Sequence, residues 1–90
     1  MTKRLIMFYG AECPHCHKMM PLVAKLEKET TLAVTQLETW HAPKNAALQK
    51  TYDKGSCGGV PFFYNEKTGK KICGEVPYDK LKAWAIASKG

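Results

Sequence analysis

Residues Leu5-Ile6-Met7-Phe8-Tyr9 form an unbroken apolar run, too short for a buried helix and long enough for a strand covered on both faces. We read that strand over Lys3–Tyr9. Gly10-Ala11-Glu12 ends it, and Pro14 opens a stretch with Met19, Leu22, Val23 and Leu26 on one helical face and Lys18, Lys25 and Lys28 on the other. Proline suits a first helical turn, where its missing N–H is not needed. The helix is expected to run from Pro14 to about Glu29, bent by Pro21. A helical crossover commits the next strand to run parallel to the first.

That second strand is read in Ala33–Trp40, where apolar and polar residues alternate. Pro43–Asp53 reads as a shorter helix with Ala46, Ala47, Leu48 and Tyr52 inward. Three glycines within Lys54–Gly59 break any regular element, so this stretch is a loop. Val60–Tyr64 reads as a third strand, Asn65–Gly69 as a turn and Lys70–Cys73 as the returning strand of a hairpin. Pro77 then starts a last helix with Tyr78, Leu81, Trp84 and Ala85 on its apolar face. The order is βαβαββα, an α/β fold with a mixed four-stranded sheet and three flanking helices.

Ninety residues, residues 1–90, are expected to make one domain with a single modest core. No apolar run approaches the roughly 20 residues of a membrane span, so no membrane association is expected. Leu5–Tyr9 is also too short for a secretory apolar region, which makes a cytoplasmic location the expectation; a chain whose leader had been removed would read the same. The net charge of +6 comes from lysines scattered along the chain rather than clustered with aromatics. This argues for a solvated basic surface rather than nucleic-acid binding. The charge suits acidic partners or anionic glutathione.

Cys13-Pro14-His15-Cys16 sits where the strand gives way to the helix. In a chain of this type, a Cys-x-x-Cys so placed reads as a redox dithiol. Disulfide exchange needs an exposed thiolate and a second thiol that resolves the mixed disulfide. Free N–H groups and the dipole at the helix start favour a negative sulfur at Cys13. Cys13 is therefore expected to be exposed and to attack, and Cys16, one turn in and more enclosed, to resolve. A protonated His15 between the sulfurs favours the thiolate and a more oxidising disulfide; Glu12 opposes this and Lys18 weakly assists.

The tetrapeptide Cys13-Pro14-His15-Cys16 is the one found in DsbA-type oxidases. The run Phe8-Tyr9-Gly10-Ala11-Glu12-Cys13, continuing through Met19-Met20-Pro21, resembles thioredoxin, including a proline five residues after the second cysteine. Val60-Pro61 stands where this superfamily has a cis-proline beside the dithiol. The resemblance spans essentially the whole chain, whose length is closer to glutaredoxin. It implies a thiol–disulfide oxidoreductase with protein disulfides or dithiols as partners, a cis Val60–Pro61 bond, and a Val60 backbone left to pair with a substrate strand. Tyr9 is expected at the substrate surface.

The chain also departs from these relatives. Thioredoxin has tryptophan before its first cysteine and a buried aspartate in the preceding strand; here Glu12 and Met7 stand there. Proton transfer to Cys16 then needs another route, such as water. Glutaredoxins carry a Gly-Gly pair that contacts glutathione; Cys73-Gly74 supplies half of it, so glutathione or a reductase is a possible electron partner. DsbA-type proteins insert a helical domain for which this length leaves no room. A monomer needing no metal or organic cofactor is expected.

Two rival readings use the same cysteines. Cys13-Pro14-His15-Cys16-His17 matches the Cys-x-x-Cys-His pattern of covalent haem attachment, with His41 as the downstream axial candidate. Zinc would require Cys13, Cys16, Cys57 and Cys73 or a histidine, but Cys57 and Cys73 form no second Cys-x-x-Cys. Cys57 and Cys73 read most simply as small core residues, with a regulatory thiol or a second disulfide as the alternative. Trp40 and His41 end a strand and receive no role.

Overall fold

The computed structural model describes residues 5–86. Its elements are β1 (Leu5–Tyr9), α1 (Pro14–Thr30), β2 (Val34–Glu38), α2 (Pro43–Asp53), β3 (Phe62–Asn65), β4 (Lys71–Cys73) and α3 (Tyr78–Ile86). The sheet order is β2-β1-β3-β4. β1 pairs parallel with β2 and antiparallel with β3, and β3 pairs antiparallel with β4. Lys3, read as the start of the first strand, lies outside the described residues.

β1 is central and alternates its side chains between two apolar layers. Leu5 and Met7 join Met19, Val23 and Leu26 of α1, Phe63 of β3, and Leu81, Trp84 and Ala85 of α3. Ile6 and Phe8 join Phe62 on the other face, covered by Leu48 and Tyr52 of α2. Phe8 stacks on Phe62 with centroids 5.8 Å apart, and Phe63 meets Trp84 edge-on at 5.5 Å. A strand with both faces covered needs the continuous apolar run found in the sequence.

Several boundaries differ from the sequence reading, for polar reasons. β2 stops at Glu38 because its carboxylate accepts the Trp40 and His41 N–H groups and turns the chain. β3 starts at Phe62 rather than Val60 and includes Asn65, whose N–H donates to Lys70 at 3.0 Å. β4 starts at Lys71, one residue after the expected Lys70. In α2, Ala47 faces solvent, while Gln49 and Asp53 are buried. Hydrophobic spacing cannot identify such positions, because these two polar groups are buried to bind main chain. α1 continues unbroken through Pro21 to Thr30, where Thr31 closes it in the left-handed region.

Asn65 carries the hairpin's main polar anchor. It is fully buried, donates from Nδ2 to the Trp84 carbonyl at 3.0 Å, and accepts the Lys67 and Thr68 N–H groups on Oδ1. One side chain thus ties the β3–β4 turn to α3. Asn65→Ala leaves the buried Trp84 carbonyl without this donor and is expected to cost about 2–3 kcal/mol in urea unfolding. A loss of less than about 0.5 kcal/mol would show that the amide is dispensable.

Candidate functional site

Cys13 is the N-cap of α1: its backbone is extended, Pro14 follows in the first turn, and its sulfur accepts the Cys16 N–H at 3.3 Å. The sulfur also lies 3.9 Å from the Val60 carbonyl oxygen. This arrangement buries the residue to 3% exposure, against the expectation of an exposed sulfur. The cause is geometric. A capping side chain folds back toward the helix it caps, and here the 54–60 loop covers it. Cys16 is 0% exposed, and its desolvation, reinforced by the adjoining Cys13 sulfur, pushes its thiol up to about 12. Neither sulfur is in a disulfide.

The turn that delivers Cys13 is clamped from three sides. Glu38 Oε2 accepts the Ala11 N–H at 2.9 Å, and Tyr9 O receives both the N–H and hydroxyl of Thr39. His17 Nε2 lies 2.6 Å from the Ala11 carbonyl, which as an acceptor requires this nitrogen to carry the proton. Trp40 covers Gly10 so closely that a Cβ there would come within 2.2 Å of the indole, which makes glycine obligatory for this approach. His41 Nε2 meets Glu12 at 2.8 Å, and that hydrogen bond, aided by the carboxylate charge, raises His41 above its ordinary value. Trp40, given no role from sequence, and His41, named there only as a haem axial candidate, thus brace the turn.

His15 extends outward from the first turn, and its Nδ1 meets Glu75 Oε1 at 2.8 Å. The hydrogen bond from His15 is the chief reason the Glu75 carboxyl is held below its ordinary value. A carboxylate thus stands beside the imidazole of the tetrapeptide. Sequence reasoning missed Glu75, which lies 60 residues away and becomes a neighbour only through β4.

The opposite wall is the loop between α2 and β3. Asp53 accepts the N–H groups of Cys57 and Gly58 and the hydroxyl of Ser56, at 2.6–2.7 Å. Gln49 Nε2 donates to the Gly59 carbonyl at 2.7 Å. Burial opposes ionisation of Asp53, but the Gly58 N–H, the Ser56 hydroxyl and the Cys57 N–H outweigh it and lower its carboxyl below 3.8. The Val60–Pro61 peptide is cis, and the Pro61 carbonyl accepts the Gly74 N–H at 2.8 Å. The backbone N–H of Gly74, the residue considered for glutathione, is therefore engaged within the fold. A groove of about 250 Å³ beside Val60 is lined by Thr39, Trp40, Gln49, Asp53 and Gly59. Tyr9 is half-buried against the α1–α3 core, and Pro14 is exposed.

Cys57 and Cys73 are joined in a disulfide, so they are neither core bystanders nor free regulatory thiols. Cys57 packs with the α2-side cluster, whereas Cys13 and Cys16 belong to the α1–α3 side. Two of the four sulfurs are thus taken up by the disulfide, and among the described residues the four do not gather as a zinc ligand set. The haem reading meets a fully buried Cys16 and a His17 Nε2 already held by Ala11.

Ionised Asp53 stabilises the fold above its ordinary value near 3.8, and that contribution is lost as pH falls through its lower folded value. Asp53→Asn is therefore expected to lower stability at pH 7 by about 1–3 kcal/mol and to flatten the acid limb below about pH 4. Urea midpoints between pH 7 and pH 2.5 measure both; an unchanged acid limb would place the titration elsewhere.

The thioredoxin family model matches residues 1–87. No curated protein matches the chain.

Proposed function

Because this chain belongs to the thioredoxin family, in which thiol–disulfide exchange is the general activity, we propose that Cys13 and Cys16 are its working dithiol and that its substrates are protein disulfides. The carrying observation is the Cys13 sulfur at the head of α1, beside the Cys16 N–H and the Val60 carbonyl. A thiolate there gains from the N–H donor and from the positive end of the helix.

The Cys13 thiolate attacks one sulfur of a substrate disulfide. A Cys13–substrate S–S bond forms as the substrate bond breaks, and a substrate thiolate leaves. Cys16, held as a thiol by its burial, must then lose a proton before it attacks Cys13. Met7 occupies the core strand beside it, so no carboxylate there takes that proton. The departing substrate thiolate supplies a base that can accept it. Cys16 then forms the Cys13–Cys16 bond and releases the second substrate thiolate, and two electrons have passed to the substrate. The reverse sequence oxidises a substrate dithiol.

Strand pairing of β3 begins at Phe62, so Val60 lies beyond the ladder. An extended substrate segment can pair with Val60 by β-addition and place a side chain in the groove beside Trp40. His15 is held by Glu75 at 2.8 Å, so residues outside the tetrapeptide also shape the surroundings of the thiolate.

The test is trapping with a disulfide-bonded protein such as insulin. Cys16→Ser is expected to accumulate a covalent complex that a reductant releases, because nothing resolves it. Cys13→Ser is expected to form none and to lose at least about a hundredfold in reductase rate. A complex trapped by Cys13→Ser instead would reverse the assignment, and none with either variant would sink the reading.

A further inference from the structure

The Cys57–Cys73 bond touches the working loop without touching the dithiol. Cys73 is opposite Phe62 in the ladder, and Phe62 packs with Phe8 on the α2 face, away from Cys13 and Cys16. The two pairs of cysteines therefore pack in different clusters. The connection is through main chain. Cys57 precedes by three residues Val60, whose carbonyl lies over the Cys13 sulfur, and Cys73 adjoins Gly74, whose N–H holds the Pro61 carbonyl.

We infer that Cys57–Cys73 is a second redox site, opened by a low-molecular-weight thiol, and that its state sets access to Cys13. The inference rests on the reading of Cys13 as the attacking thiol. Of the two residues, Cys73 is exposed and Cys57 half-buried, so an incoming thiolate meets Cys73 first. Attack forms a mixed disulfide between the small thiol and Cys73, breaks the Cys57–Cys73 bond and releases Cys57 as a thiolate that takes a proton from water. A second small thiolate attacks the small-thiol sulfur of that mixed disulfide and frees Cys73. Two small thiols are then oxidised to one disulfide, and the protein pair is reduced.

What remains after opening explains the consequence. Asp53 and Gln49 still hold the loop at Ser56–Gly59 by hydrogen bonds, but nothing covalent ties Cys57 to β4. Gly55 and Gly58 both lie at positive φ, so the released segment carries glycines that readily adopt other conformations. The cover over Cys13 loosens. Small reagents reach the sulfur faster, while the Val60 edge that would receive a protein substrate becomes less defined.

The experiment has two arms on the full chain. In a Cys13→Ser/Cys16→Ser variant, equilibration in graded reduced and oxidised glutathione, thiol trapping and mass mapping report the second pair alone. The expected result is a Cys57–Cys73 disulfide at the oxidised end that opens across the series, with glutathione adducts at Cys73 exceeding those at Cys57. In a Cys57→Ser/Cys73→Ser variant with its dithiol reduced, iodoacetamide is expected to alkylate Cys13 about threefold or more faster than in the wild type. Tryptic cleavage after Lys54 should accelerate too, while buried Cys16 stays unmodified as the mark of a folded chain. Should that variant not fold, Cys16→Ser supplies the same rate with the pair closed and then opened by reduced glutathione.

Free Cys57 and Cys73 thiols in the oxidised protein, a bond that stays closed throughout the series, or opening without a change at Cys13 would each overturn the proposal. Failure of the dithiol reading is distinguishable. It shows as a Cys57→Ser/Cys73→Ser chain that forms no Cys13–Cys16 disulfide, whatever the glutathione series reports for the second pair.

Discussion

The contact on which the site depends is the cap that Cys13 makes on α1, its sulfur accepting the Cys16 N–H. This contact brings the two sulfurs together, aims the positive end of the helix at Cys13 and turns that sulfur inward beneath the Val60 carbonyl. The burial that follows is a consequence of the cap. It makes the covering loop as much a part of the site as the cysteines.

A cap at the end of a strand is a precarious place for such a group, because the turns around it carry main-chain N–H groups that the sheet does not pair. Carboxylates meet this need from both sides. Glu38, at the end of β2, gathers the N–H groups of Ala11, Trp40 and His41, joining the dithiol turn to the neighbouring corner. Asp53, at the end of α2, gathers those of Cys57 and Gly58 and so shapes the approach to Val60. Charged acceptors suit this work because their hydrogen bonds are stronger than neutral ones. Each grips irregular backbone without needing an apolar side chain to pack there.

The central strand divides the molecule's sulfur chemistry. Alternation along β1 sends Met7 toward the α1–α3 layer, where Cys13 and Cys16 lie, and Phe8 toward the layer that holds Cys57. One pair is thus buried beneath a loop and the other ties that loop down from the far face. Closing the 16-residue separation between Cys57 and Cys73 also contributes about 3 kcal/mol by restricting the unfolded chain, a substantial share for a domain this small.

Much of this was legible in the sequence. The apolar run of Leu5–Tyr9, the helical spacing after Pro14 and the glycines before Val60 gave the element order, because strand, helix and loop are chosen over a few residues by side-chain periodicity and backbone freedom. Cys13 and Cys16 were legible for the same local reason. The engagement of His15 by Glu75, of Ala11 by Glu38 and of the 54–59 loop by Asp53 and Gln49 was not. Neither was the union of Cys57 with Cys73. What the sequence by itself determined was the fold class and the place of the dithiol. Only the tertiary structure decided how enclosed Cys13 is, which charge faces His15 and which cysteines join, because polar and covalent pairings between residues distant in the chain depend on where the sheet brings them.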